Sequence, residues 1–210
     1  MTNKARFITL EGSEGAGKTT ALKTIKKILN KWGVDYICTR EPGGEPNAEK
    51  IREILLHSEH LHAKTELLLM FAARNEHIQN VIKPNLAKGV WVVSDRFVDA
   101  SYAYQGGGRK LGQDVVKWMD DFIVGDVQAD LTVLMDIAPE IGLERIKSRG
   151  QADRIEQEGL DFFHRITQSY RDKAKLNLSK YAIIDASKSF KIVKQSIISA
   201  FESKKQELMP

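Results

Sequence analysis

Eight residues near the start of the chain have the types and spacing of a phosphate-binding loop. Residues 12–19 are Gly-Ser-Glu-Gly-Ala-Gly-Lys-Thr, after a short apolar run and before a helical pattern. Glycines let the backbone bend so that successive N–H groups point at phosphate oxygens. In such loops the lysine, here Lys18, bridges the β- and γ-phosphates, and the hydroxyl of Thr19 can hold Mg²⁺. The pattern therefore predicts a P-loop.

Three further polar residues follow predicted strands, at the edge where a parallel sheet gathers its ligands. Arg40 belongs to a loop rich in proline and glycine, residues 39–46, and either contacts an anion or lies at the surface. Asp95 and Arg96 follow the run Val90–Ser94. Asp95 suits a Mg²⁺-holding acid and Arg96 a two-pronged phosphate contact. A simple ion pair at the strand end is the alternative.

A largely apolar helix, predicted over residues 65–88, carries Phe71 and Arg74 on one face because they are three residues apart. A ring beside a guanidinium could stack on a planar base and hydrogen-bond its rim. In the alternative, which the residues alone favour, Phe71 lies in the core and Arg74 pairs with a carboxylate such as Glu66 or Glu76.

The segment 101–109 combines polar and aromatic side chains with three consecutive glycines. Glycines permit a close approach between the backbone and a ligand. The amide of Gln105 carries both a donor and an acceptor, which suits the rim of a pyrimidine. A flexible linker with a solvated Gln105 explains the same residues equally well.

A polar bridge, residues 150–156, joins two predicted helices, the first of which opens at Pro139. Such a bridge is typical of a mobile lid whose arginines swing over a bound triphosphate. An exposed turn with solvated charges is the alternative, and composition alone slightly favours it.

These residues need a frame of strands and helices to position them. Apolar runs predict strands, and apolar spacings of three and four predict helices. The predicted strands are 6–11, 34–39, 90–94, 131–136 and 181–185. The predicted helices are 18–32, 47–57, 65–88, 112–124, 139–149, 159–176 and 188–205. Strands separated by helices predict an α/β fold with a parallel sheet covered on both faces.

Composition limits the possible classes of protein. The 210 residues, 42% of them hydrophobic, fit one domain over residues 1–210. A net charge of +4 without a basic block does not indicate a nucleic-acid surface. No apolar run reaches the ~20 residues of a membrane span, and no signal peptide is evident. With Cys38 as the single cysteine, we expect a cytoplasmic protein without nucleic-acid or membrane partners.

Four segments together resemble thymidylate kinases. They are Gly12–Thr20, Thr39–Gly44, Asp95–Phe97 with Ser101–Arg109, and Asp153–Glu156. The resemblance implies a P-loop kinase fold with a five-stranded parallel sheet, phosphoryl transfer from ATP to dTMP, ATP and Mg²⁺ as cofactors, and a homodimer packed through helices. The pair Glu14-Gly15 resembles the bacterial branch, in which lid arginines replace a loop arginine. Here those would be Arg149 and Arg154, in a lid at about 149–157.

The resemblance also assigns a role to individual residues. Those implied to be catalytic are Lys18, Arg96, Arg149 and Arg154. Those implied to bind ATP are Gly12, Ser13, Glu14, Gly15, Ala16, Gly17, Lys18, Thr19 and Thr20. Those implied to bind dTMP are Glu14, Arg40, Glu41, Arg52, Phe71, Arg74, Arg96, Ser101, Tyr104 and Gln105. Thr19 and Asp95 would serve Mg²⁺, and Phe71 would stack on thymine.

Other functions share parts of this pattern. A kinase for another nucleoside monophosphate would have a similar P-loop and lid, but Arg74 is a poor partner for the amino group of cytosine. A nucleotide-switch GTPase would carry an Asn/Thr-Lys-x-Asp motif, which does not occur in this chain. An inactive P-loop scaffold is a third alternative.

Overall fold

Five parallel strands form the centre of the structure, a computed structural model that describes residues 5–147 and 153–209. The strands are β1 (Phe7–Glu11), β2 (Tyr36–Arg40), β3 (Trp91–Asp95), β4 (Leu131–Asp136) and β5 (Tyr181–Asp185). Their order in the sheet is β2-β3-β1-β4-β5, and every neighbouring pair is parallel. The predicted α/β fold is confirmed, although β2 begins at Tyr36 rather than at residue 34.

Strand burial follows from position in the sheet. The three inner strands β1, β3 and β4 are buried along nearly their whole length. The edge strands β2 and β5 are only partly buried. Inner strands of a parallel sheet are covered on both faces, which is why they appear in the sequence as continuous apolar runs.

Helical segments surround the sheet. The α-helices are α1 (Lys18–Trp32), α2 (Pro46–His57), α3 (Ala63–His77), α4 (Lys83–Ala87), α5 (Val98–Ser101), α6 (Gln113–Met119), α7 (Pro139–Lys147), α8 (Leu160–Leu176), α9 (Phe190–Ser203) and α10 (Lys205–Leu208). One face of the sheet packs on α1 and α9, and the other face packs on α3 and α6. Among the residues described, no helix is both long and apolar enough to cross a membrane.

Wider π-helical turns interrupt or extend several of these helices. They are Ile78–Ile82, Tyr102–Gly108 and Asp120–Val124, and a 3₁₀ turn covers Leu178–Lys180. The helix predicted over 65–88 is therefore α3, a π-helical turn and α4 in succession. The prediction for 112–124 is likewise met by α6 and the turn that follows it.

The segment with three glycines is helical rather than an open loop. A Cβ atom at Gly108 would lie 2.6 Å from the ring of Phe162, and one at Gly107 would lie 3.0 Å from the Cβ of Ser169. Both partners belong to α8. The close approach that these glycines make in the structure is to a neighbouring helix, and an approach to a ligand stays a prediction.

Candidate active site

A cavity of about 380 Å³ lies where the chain leaves the carboxyl ends of β1, β2 and β3. Of the predicted site residues, those that line it are Glu14, Gly15, Gly17, Lys18, Thr19, Thr20, Arg40, Glu41, Arg52, Asp95, Arg96, Tyr104, Gln105 and Arg154. These side chains come from segments that are far apart in sequence. The sheet brings them together because parallel strands end at one edge.

The P-loop is held in shape by glycines and by α7. Gly15 has a φ of 72°, and a Cβ atom there would lie 2.1 Å from the carbonyl oxygen of Gly142 in α7. Gly17 has a φ of 83° and immediately precedes α1. Within the described chain, the N–H groups of Gly15, Gly17, Lys18 and Thr19 donate to no protein acceptor. Unpaired N–H groups at a helix N-terminus suit an anion.

Lys18 folds back onto the loop that carries it. Its Nζ donates to the carbonyl oxygens of Gly12 at 2.8 Å and Ser13 at 3.0 Å. Desolvation lowers the pKa of Lys18 to about 8, and the nearby guanidinium of Arg96 contributes to the same shift. Glu14 opposes this shift in pKa. An anionic ligand would stabilise the charged form of Lys18, because a nearby negative charge offsets the cost of burying the ammonium group.

Arg96 follows β3, lines the cavity and is held by the P-loop. Its Nη2 donates to Glu14 Oε1 at 2.6 Å, and its Nη1 donates to the hydroxyl of Tyr104 at 2.9 Å. The Tyr104 hydroxyl also donates to Glu14. The backbone of Arg96 has a φ of 70°, a conformation that costs on the order of 1 kcal/mol for a residue with a side chain. Two side chains, Glu14 and Tyr104, thus preorganise the guanidinium of Arg96.

Glu11, at the end of β1, was not predicted from the sequence, and it fixes the backbone next to Arg96. Its side chain is fully buried, and it accepts hydrogen bonds from the Phe97 N–H at 2.7 Å and the Tyr170 hydroxyl at 2.9 Å. Burial and the neighbouring carboxylate of Asp99 raise the pKa of Glu11. Glu11 therefore joins the end of β1 to the residue after Arg96 and to α8.

Asp95 and Thr19 are the candidate partners of a metal ion. Both line the cavity, and the Oδ1 atom of Asp95 is buried without a hydrogen-bond partner in the structure. An unpaired buried carboxylate oxygen is unfavourable unless a ligand satisfies it. Oxygen donors of this kind are the ligands that Mg²⁺ prefers. The residues present therefore fit the predicted ion.

The segment after β2 contributes two further arginines. Arg40 donates from Nη2 to both carboxylate oxygens of Glu49, at 3.0 and 2.9 Å. Arg52 donates to the carbonyl oxygen of Pro42 at 2.8 Å. The peptide bond before Pro42 is cis. Since both residues line the cavity, they add positive charge to its wall.

Three predicted base-binding residues lie behind the cavity wall. Phe71, Arg74 and Ser101 are 0% exposed and are not among the lining residues. Arg74 donates to Glu41 Oε2 at 2.7 Å, to Ser101 Oγ at 2.9 Å and to the Phe97 carbonyl at 3.0 Å. All three nitrogens of its guanidinium group are therefore occupied by protein. The alternative drawn from the residues alone paired Arg74 with a carboxylate such as Glu66 or Glu76; in the structure the carboxylate is Glu41.

The ring of Phe71 is buried in the structure and does not line the cavity. Phe71 packs in the core, and the Arg74 Cζ lies 4.7 Å from its ring centroid. From the same helix it is Met70 that lines the cavity. A base could stack on Phe71 only if the wall moved, so direct contact of thymine with Phe71 and Arg74 stays a prediction.

In the described part of the lid, Arg154 contacts α2 and α3. Arg154 donates to the Leu55 carbonyl at 3.0 and 2.9 Å and to Glu66 Oε2 at 2.8 Å. Arg109 pairs with Glu66 at 3.1 Å and also with Glu158. Arg149, the other predicted lid arginine, lies outside the described residues.

Glu66 therefore belongs to the site, which its position in the sequence only weakly indicated. It is 1% exposed, and Gln105 Nε2 donates to its Oε1 at 2.8 Å. The one available signal was a carboxylate next to the apolar stretch that begins at Leu67. A charge in such a place is buried only when it has partners.

A P-loop after the central strand of this sheet, in a cavity that arginines also line, defines a P-loop kinase that acts on nucleotides. The profile of the family described as thymidylate kinase matches residues 10–197. A thymidylate kinase of Pseudomonas putida strain F1 is 48% identical over 193 residues, covering 91% of this chain and 92% of the relative. That of Methylobacillus flagellatus is 45% identical over 195 residues, covering 93% and 96%. The chain belongs to the thymidylate kinase family.

Proposed function

We propose that the chain transfers the γ-phosphoryl group of ATP to dTMP, giving dTDP and ADP. The observation that carries this proposal is one cavity lined both by the P-loop and by a second group of arginines with Gln105. A kinase needs a donor and an acceptor side in one enclosed space, because the phosphoryl group passes directly between them. A reaction that consumes ATP and supplies a DNA precursor belongs in the cytoplasm, where we place it.

Electrostatics provide the catalysis. Phosphoryl transfer passes through a loose transition state, and the protein contributes positioning and fixed positive charge rather than a covalent intermediate. Lys18 would contact the β- and γ-phosphates of ATP, with Arg154 and Arg149 supplying charge from the lid. Arg96 would hold the dTMP phosphate in line, since Glu14 and Tyr104 already fix its orientation.

The acceptor side binds the nucleotide through charge and shape. Arg40 and Arg52 would join Arg96 around the dTMP phosphate. Tyr104 would occupy the place of a ribose 2′-hydroxyl, and Glu14 would approach the 3′-hydroxyl. Gln105 would meet the rim of thymine, because its Oε1 atom is buried without a partner in the structure.

Thr19 and Asp95 would hold Mg²⁺ together with phosphate oxygens. When bound, the ion neutralises phosphate charge and helps align the triphosphate. The residues of the chain do the remaining work: Lys18 and the P-loop N–H groups bind the donor, and the cavity walls limit the access of water.

We propose that the active form is a homodimer. Val115, Trp118 and Phe122 are 49%, 64% and 72% exposed, and the two aromatic rings stack with centroids 5.6 Å apart. Leu68 is 58% exposed on α3, which packs against the turn at 120–124. Clustered apolar side chains of this size mark a protein interface. A second copy of the chain would bury them.

A coupled assay with ATP, Mg²⁺ and the monophosphates dTMP, dUMP, UMP, CMP and AMP tests the assignment. We expect the highest kcat/KM with dTMP and almost no transfer by Lys18→Ala. Comparable activity on CMP, or a preference for AMP, would favour another nucleoside monophosphate kinase. Guanine-nucleotide binding without turnover of any acceptor would favour a nucleotide switch.

A further inference from the structure

We propose that Glu66 is a positioning residue that sets base specificity by fixing the orientation of the Gln105 amide. This inference rests on the proposed function, since it concerns the acceptor nucleotide of that reaction. In the structure, the amide nitrogen of Gln105 donates to Glu66 Oε1 at 2.8 Å, and its amide oxygen has no protein partner. The amide nitrogen is thus bonded to Glu66, and the amide oxygen can accept a hydrogen bond from a ligand.

A glutamine amide can present either a donor or an acceptor, depending on how it is rotated. Glu66 removes that choice. Its carboxylate accepts from Arg109 and Arg154, whose guanidinium groups can only donate, so it offers acceptors to Gln105 as well. If Gln105 rotated by half a turn, its oxygen would face that carboxylate and two acceptors would be buried together, which is unfavourable.

Glu66 itself has little freedom to release Gln105. It is 1% exposed, and its two oxygens receive Gln105 Nε2 at 2.8 Å, Arg154 Nη2 at 2.8 Å and Arg109 Nε at 3.3 and 3.2 Å. Charge-assisted hydrogen bonds of this kind are stronger than those between neutral groups. Arg154 would leave Glu66 when it turns to the triphosphate, but rotation of the carboxylate would still break the hydrogen bonds from Gln105 and Arg109.

The consequence is a chemical choice between pyrimidines. Thymine and uracil carry a hydrogen on N3, which can donate to the free oxygen of Gln105. Cytosine has an unprotonated N3 that is itself an acceptor, so it would face another acceptor. A site built to accept a substrate N–H discriminates strongly against an analogue that lacks it. Glu66 thereby excludes cytosine without touching the base.

The test compares dUMP with dCMP, which differ only at the N3 and C4 edge of the ring. Glu66→Gln can either donate to or accept from Gln105, so the amide is released. We expect the ratio of kcat/KM for dUMP to that for dCMP to fall by about 10-fold, the value of roughly one hydrogen bond. The dTMP-to-dUMP ratio, which reports the methyl group, should stay unchanged.

Glu76→Gln is the matched control, because Glu76 lies on the same helix and accepts its hydrogen bonds from Asn47 and Asn80. It should leave both ratios unchanged. In a Gln105→Ala background, Glu66→Gln should no longer alter the dUMP-to-dCMP ratio. If Glu66→Gln does not fold, Glu66→Met is the second variant, because methionine is similar in length and has no acceptor oxygen. It should lower the dUMP-to-dCMP ratio of kcat/KM in the same way.

The outcomes separate two failures. If the wild-type protein phosphorylates dTMP but neither Glu66 variant alters the dUMP-to-dCMP ratio, the inference is wrong and the proposed function stands. An effect of Glu66→Gln that persists without Gln105 would also overturn the inference. If the wild-type protein does not phosphorylate dTMP, the proposed function fails, and the inference fails with it.

Discussion

The guanidinium of Arg96 and the carboxylate of Glu14 are 2.6 Å apart and join the loop after β3 to the P-loop. Both side chains are largely buried, with 16% and 14% of their surface exposed. The pair therefore connects the element that would bind the donor nucleotide to the residue that would bind the acceptor phosphate. Hydrogen bonds between charged groups in such partly buried places are worth roughly 1.5–3 kcal/mol.

Glu14→Gln should lower kcat/KM for dTMP by about 10-fold, because Arg96 loses its charged partner and is held less firmly. The KM for ATP should change much less. Steady-state kinetics with each substrate varied in turn measure both effects. Glu140→Gln, which removes an exposed carboxylate paired with His164, is the control. An unchanged kcat/KM for dTMP would show that Glu14 does not position Arg96.

Lys18→Met should make the folded protein more stable near neutral pH while abolishing phosphoryl transfer. The pKa of Lys18 is lowered from 10.5 to about 8 in the folded chain. Between these values the unfolded chain binds more protons, so the contribution of Lys18 to the free energy of unfolding rises with pH across this window. Because Lys18 is only partly buried, we expect a gain of about 1 kcal/mol. Urea unfolding should show that gain near pH 7 and a smaller one near about pH 9.5.

Asp95→Asn should raise the Mg²⁺ concentration needed for half-maximal turnover by roughly 10–100-fold. The reason is the Oδ1 atom of Asp95, which is buried and has no hydrogen-bond partner among the described residues. An asparagine amide would replace it with a weaker ligand or a donor. Titration of activity with Mg²⁺ at fixed ATP measures the change. Asp136→Asn, at the end of β4 and paired with Arg171, provides the control. Equal Mg²⁺ requirements in both variants would remove Asp95 from the metal site.

Arg154→Ala should lower kcat by on the order of 10³-fold, the effect typical of an arginine that stabilises the transferring phosphoryl group. In the structure Arg154 lines the same cavity as Lys18, although its present partners are Glu66 and Leu55. Single-turnover measurements separate the chemical step from binding. Arg171→Ala removes an exposed arginine of α8 as a control. A loss that appears only in KM would indicate a role in binding alone.

Replacing Trp118 and Phe122 together by glutamate should shift the protein from dimer to monomer, because burying two charges in an apolar interface is unfavourable. Sedimentation velocity at several concentrations measures the distribution. Leu176→Glu changes another exposed apolar residue, 82% exposed on α8, and should leave it unchanged. A wild-type protein that is monomeric at high concentration would contradict the proposed interface.

Local patterns predicted the elements that depend on local physics. The P-loop at 12–19, the start of α7 at Pro139 and all five strands were foreseen because glycine conformations, helix starts and apolar runs are properties of neighbouring residues. For the segment 101–109 the sequence alone left a ligand-binding segment and a flexible linker equally open, and the structure makes it helical. Its glycines pack against Phe162 and Ser169, which are more than fifty positions away in the chain.

By itself the sequence determined an α/β protein with a P-loop, and its combined motifs were enough to indicate the thymidylate kinases. Only the tertiary structure decided which carboxylate pairs with which cation. Arg74 binds Glu41, 33 positions away, and Arg154 binds Glu66, 88 positions away. Such pairs depend on how the strands order themselves in the sheet and on which side chains then share a buried space. The spacing of residues along the chain does not predict these pairs, because ion pairs form between side chains that are neighbours in space.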